Sequence, residues 1–112
     1  MIQGGEEAAL INGPFLNPKW EGNIIYQTKG AGNMAEGSYK TLDPKMVRNA
    51  TGTFHLEKAI AGLNATGAYP MITVDMDGQS RKQPLQVGAD QISKETVIAR
   101  ILTPELVGYK AK

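Results

Sequence analysis

With 112 residues and 12 Lys and Arg against 11 Asp and Glu, the chain reads as one nearly neutral domain, long enough for a single core without staples. A net charge of +1 excludes a nucleic-acid binder that works by phosphate neutralisation, which needs a basic excess gathered into a patch. The lack of cysteine excludes disulfides, thiolate chemistry and Cys-ligated zinc, and the single histidine, His55, excludes a His-rich metal site.

The 13 Gly and 6 Pro, set among 41% apolar residues, describe a turn-rich globular fold rather than a disordered tail. No apolar run approaches the roughly 20 residues of a membrane helix. Residues 1–7 lack the basic-then-apolar pattern of a signal peptide, so the expected site of maturation or assembly is a reducing compartment.

Residues 1–20 contain Gly4, Gly5, Gly13, Pro14 and Pro18, with residues 8–11 as the only apolar run. Gly and Pro at that density prevent a long helix, and the residue before each Pro is driven towards extended geometry. An extended N-terminal arm, or an edge strand, that crosses a surface is therefore predicted over residues 1–20, followed by a single β domain over residues 21–112. Phe15, Leu16 and Trp20 are the candidate partner-binding anchors. For Trp20 a place capping the domain's own core is favoured, because a lone Trp is usually largely buried.

Residues 23–28, rich in β-branched and aromatic side chains, predict a strand. Residues 29–37 interrupt it with Gly30, Gly32 and Gly37 and read as a flexible loop. Residues 38–42 and 45–48 are short strand candidates separated by the turn signal Asp43-Pro44. Next comes a short duplication: Asn49-Ala50-Thr51-Gly52 recurs as Asn64-Ala65-Thr66-Gly67. Each copy is followed by an aromatic and, two residues on, an apolar side chain, which predicts two turn-then-strand units.

Residues 53–63 allow a helix capped by Thr53 with Leu56, Ile60 and Leu63 on one face. They also allow a strand with Phe54 and Leu56 on one face, running into a short helical turn. The strand is favoured. Residues 70–76 alternate Ile72, Val74 and Met76 against Thr73 and Asp75, the clearest period-two pattern in the chain, and Asp77-Gly78 signals a hairpin. The return stretch, residues 83–87, carries Pro84 and belongs at an edge or bulge. A two-residue loop sets Asp75 opposite Ser80 and a four-residue loop sets it opposite Lys82; the sequence leaves that choice open.

Residues 93–103 read either as a helix with Val97, Ile98, Ile101 and Leu102 as its stripe, or as a strand through the β-branched run at Thr96, Val97 and Ile98. Residues 106–109 give a last short strand or docking tail. Turn signals about every 8–12 residues mark a mainly β fold, a small antiparallel sandwich or barrel with at most one or two short helices.

Little of this carries chemistry. Residues 30–35 fit a permissive dinucleotide pattern, yet no helix is predicted to open at the second glycine and no acidic residue stands about 20 positions on. Residues 75–78 resemble the start of a calcium loop, but Arg81 and Lys82 follow where oxygen ligands are needed, and a hairpin turn explains them. His55 has no carboxylate or hydroxyl tied to it by spacing. The Asn49 and Asn64 sequons are read as turns. The resulting expectation is a non-enzymatic protein with no catalytic residue, no cofactor and no metal ligand.

In type, the chain resembles the small capsid decoration, or cement, proteins of tailed bacteriophages, including the staple-like ones of short-tailed phages. The features that carry the likeness are the arm over residues 1–20, the Gly-rich loop over residues 29–37 and a closing strand over residues 96–102. The resemblance implies a jelly-roll-like or barrel-like β domain, often a dimer or trimer, that sits on the outside of the virion and clamps neighbouring major capsid protein subunits. Such a protein is made in the host cytoplasm, is not secreted, and binds neither nucleic acid nor membrane. The alternative is a small carbohydrate-type ligand-binding module with Trp20, Tyr26, Tyr39 and Tyr69 as platforms.

Overall fold

The computed structural model describes residues 1–99. Seven short strands form in chain order: β1 (Ile2–Gln3), β2 (Glu7–Ala9), β3 (Asn23–Tyr26), β4 (Gly30–Gly32), β5 (Tyr39–Thr41), β6 (Met46–Arg48) and β7 (Phe54–Leu56). No helix forms among the described residues, so the mainly β expectation holds. The pairing differs from the antiparallel scheme. Strands β1, β3 and β5 make a parallel sheet with β3 in the middle, β2 and β4 make a parallel pair, and only β6 and β7 are antiparallel.

The two parallel units share one register. Ile2 lies opposite Ile25, Gln3 opposite Tyr26, Glu7 opposite Gly30 and Ala9 opposite Gly32, a constant offset of 23 (25 − 2 and 32 − 9) along both segments. Between them the ladder continues through the Gly4 N–H to the Tyr26 carbonyl and the Lys29 N–H to the Gly5 carbonyl, where Gly4, Gly5 and Gln27 take positive φ. Past Ala9 the amide of Asn33 serves as a further rung. It accepts the Ile11 N–H at 2.6 Å and donates to the Ile11 carbonyl at 2.8 Å. Residues 2–11 are thus one kinked ribbon beside residues 25–33.

This corrects two sequence expectations. The first half of residues 1–20 is laddered into the fold, with β1 as an edge strand rather than part of a free arm, and beyond Ala9 residues 10–20 form no strand. The Gly-rich stretch expected to be a loop contains β4. Gly32 is explained by proximity rather than mobility: a Cβ there would stand 1.8 Å from the Ala9 carbonyl oxygen, and its φ is +68°. Only glycine lets the two backbones approach this closely at that angle.

The core centres on Ile24 of β3, Leu56 of β7 and Leu63, with Met1, Leu42, Met46, Ile60, Val87 and Ile92 packed around them. The first duplicated turn behaves as expected. Residues 49–52 join β6 to β7, with Asn49 accepting the Thr51 and Thr53 N–H groups at 3.0 Å each, and the strand reading of residues 53–63 stands. The second copy builds no strand, and Asn64 makes a lone bridge to Gln86.

Residues 70–76, the best strand pattern in the sequence, also form no strand. Met71, Ile72 and Val74 point into solvent while Asp75 is buried, because Asp75 is claimed by backbone donors that have no ladder. Its Oδ1 accepts the Asp77 and Gln79 N–H groups at 2.9 Å each and its Oδ2 accepts the Gln91 N–H at 3.2 Å. A hairpin turn does form, with Val74 opposite Ser80 and the Gly78 N–H on the Asp75 carbonyl. Asp75 accordingly faces Gln79, in neither of the two registers considered.

Residues 83–87 form no strand either. Of residues 93–103, the described part to Ala99 is neither helix nor strand. The rest of that element, with residues 100–102 of the expected closing strand, and the short strand at residues 106–109 lie outside the described residues, and residues 96–99 form no strand.

Candidate functional site

The sequence-predicted contact residues lie in residues 10–20, which carry no strand. Leu16 is 94% exposed, Phe15 55% and Trp20 39%, and Leu10 is exposed beside them. Trp20 therefore does not cap the core. Nearby, Lys19 pairs with Glu21 at 2.9 Å and the Tyr69 hydroxyl donates to Glu21 at 3.2 Å, tying the end of the stretch to the second duplicated turn. The wider surface is apolar too. Eleven large apolar side chains are exposed among the described residues against six buried apolar ones.

Three titratable side chains that sequence spacing left unconnected converge elsewhere. His55 comes from β7, Asp77 from the hairpin turn and Asp90 from the following loop, with one ligand-capable atom of each within 4.8 Å of the others. His55 Nδ1 lies 3.1 Å from Asp77 Oδ2 and 3.8 Å from Asp90 Oδ2. The side chains are 23%, 14% and 11% exposed in the order His55, Asp77, Asp90, and they open onto a cleft of about 250 Å³.

Backbone contacts hold each segment in place. Asp90 Oδ2 accepts the Leu56 N–H at 2.5 Å. The Asp77 carbonyl accepts from the Ile98 and Ala99 N–H groups. Asp75, bonded to the amides of Asp77 and of Gln91, fixes both acidic segments from behind.

The protonation pattern of His55 follows from Asn49. Asn49 Oδ1 takes the Thr51 N–H, the Thr51 hydroxyl at 2.7 Å and the Thr53 N–H, so its amide nitrogen must face the imidazole. That nitrogen stands 2.9 Å from His55 Nε2 and donates to it, which leaves the proton on Nδ1, pointing at Asp77. Both carboxylates stand within 3.8 Å of the ring, and no Lys or Arg lines this cleft among the described residues.

Of this cluster, the sequence pointed to Asp77 only as a turn residue and to His55 only as an isolated histidine. Asp90 carried no signal, because a contact among a strand, a turn and a loop leaves no periodicity or fixed spacing. The calcium-loop likeness of residues 75–78 fails on geometry, since Asp75 is spent on backbone donors.

A second cleft, of about 180 Å³, runs between Tyr69, Ile72, Arg81 and Leu85. Arg81 donates to the Gly88 and Gln86 carbonyls at 3.0 and 2.5 Å, while its buried Nε has no partner among the described residues. Tyr26 and Tyr39, the other tyrosines considered as platforms, are half-buried on β3 and β5. The chain matches no family model, no curated protein and no solved structure.

Proposed function

We propose that this is a non-enzymatic structural protein that binds and clamps neighbouring subunits of a larger assembly, as a capsid decoration or cement protein on the outside of a virion. The observation that carries the reading is the imbalance between exposed and buried apolar side chains, with Leu10, Phe15, Leu16 and Trp20 gathered in one strand-free stretch. Exposed apolar surface of this extent favours association, since each Å² withdrawn from water contributes roughly 25 cal/mol before the costs of ordering and orientation. The major capsid protein, or a similar subunit, is the partner, and the chain works as a dimer or trimer. The finer architecture, a sandwich or jelly-roll-like domain with an extended arm, is part of the same proposal, the arm being narrowed to residues 10–20.

Phe15→Ser with Leu16→Ser tests the reading. Both side chains project into solvent, so the fold should survive while light scattering shows a lower mass or the particle loses the protein. Wild-type protein that is monomeric, protease-resistant along its whole length and facing solvent at residues 10–20 in images of the assembled particle would overturn it.

A ligand-binding module is the second reading, favoured by the unpartnered Arg81 Nε beside Tyr69. A sugar hydroxyl or carboxylate would satisfy that donor while the ring supplied an apolar face. A glycan array without a hit retires it.

A further inference from the structure

We propose that His55, Asp77 and Asp90 form a three-ligand site for a divalent cation of the zinc type, independent of the apolar stretch at residues 10–20. Zinc sits about 2.0–2.2 Å from imidazole nitrogen and carboxylate oxygen, so tetrahedral ligands stand about 3.4 Å apart. The observed separations of 3.1 and 3.8 Å from Nδ1 to the two carboxylates bracket that value. One nitrogen and two oxygens favour zinc over calcium or magnesium, which prefer oxygen alone and more of it.

Charge provides an independent reason. No Lys or Arg lines the cleft that holds the two carboxylates among the described residues. Crowding two carboxylates in a half-buried cleft is costly unless a cation is taken up. A metal bound there would join β7, the hairpin turn and the loop after it, in the part of the fold that has the fewest strand pairs.

Binding has a definite cost at Asn49. Coordination through Nδ1 requires the proton to leave that atom and Nε2 to take one up, with no net change in protons on the ring. Nε2 then becomes a donor facing the Asn49 amide, itself a donor. Asn49→Asp removes the conflict, since a carboxylate can accept the Thr51 and Thr53 N–H groups and the Nε2–H together.

The test is calorimetric titration of untagged full-length protein with Zn²⁺, with Co²⁺ as an optical probe of geometry. The expected result is one saturable site, visible tetrahedral cobalt bands, at least tenfold weaker binding in His55→Ala and Asp77→Asn, and several-fold tighter binding in Asn49→Asp. No saturable heat and no cobalt bands in the wild type would overturn the proposal, whatever the variants do. So would wild-type affinity in folded His55→Ala, or weakened binding in folded Asn49→Asp.

Discussion

Residues 2–42 and residues 64–99 are held by different means. The first region is a backbone structure. Its parallel ladder runs at one register through β1 to β4, and the Asn33 side chain extends it by one rung. In the second region two isolated bridges stand in place of sheets, and buried side chains satisfy the loop backbone. Asp75, Gln79, Gln86, Asp90 and Gln91 are all buried. Gln91 Oε1 accepts the Gln86 N–H at 3.1 Å while Gln86 Oε1 accepts the Ile92 N–H at 2.6 Å, and the Gln79 amide donates to the Glu95 carbonyl.

A backbone donor removed from water needs a partner of some kind. A strand provides it through any sequence, whereas a loop provides it only through a particular carboxylate or amide. The first region should therefore tolerate side-chain changes and fail at close backbone approaches, and the second should do the opposite.

The sharpest break is Asp75→Ala, which strands three backbone donors at once. A loss of about 3–5 kcal/mol is expected in urea unfolding, since each buried donor left unpaired costs about 1–3 kcal/mol. Hydrogen exchange should show protection falling first over residues 75–91. An effect below about 1 kcal/mol would mean that the second region is not held by this carboxylate.

In the first region the counterpart is Gly32→Ala. The added Cβ would overlap the Ala9 carbonyl at an unfavourable φ, and about 2–4 kcal/mol should be lost. Amide protection should drop at β2 and β4 while the turn at residues 75–79 keeps its own. Loss of protection at both places would show that the regions unfold as one unit.

Asn33→Ala removes one rung of the ribbon. Because the site is exposed and water can replace the bonds, about 1 kcal/mol is expected, read as faster exchange of the Ile11 amide.

The smallest effect is electrostatic. The Ser80 backbone N–H holds the Glu95 carboxyl below its ordinary value of 4.5. A depressed folded value means that this stabilisation is complete above the ordinary range. It is lost as the pH falls through the depressed value. Glu95→Gln should therefore flatten the acid side of the stability profile slightly and leave neutral behaviour nearly unchanged. An identical acid limb in the variant would remove Glu95 from the account.

The contrast also explains what could be read in advance. Asn23–Tyr26, Tyr39–Thr41, Met46–Arg48 and Phe54–Leu56 were legible because strand composition and turn residues are local properties, as at Arg48, where Asn49 follows directly. The turn at Asn49 was legible for the same reason. The period-two pattern at residues 70–76 misled because alternation records which side chains could share a face and says nothing about whether a partner strand exists. Once Asp75 is drawn inward by backbone amides, its apolar neighbours turn out.

By itself, then, the sequence determined a mainly β, turn-rich chain without cysteine chemistry and the approximate position of four strands. Tertiary structure alone decided that the pairing is largely parallel, that Gly32 is a contact rather than a hinge, and that His55, Asp77 and Asp90 meet. Those three facts depend on residues far apart in the chain coming within a few ångströms of one another. Composition and periodicity describe only what each segment presents, and the partner for each segment is chosen by packing.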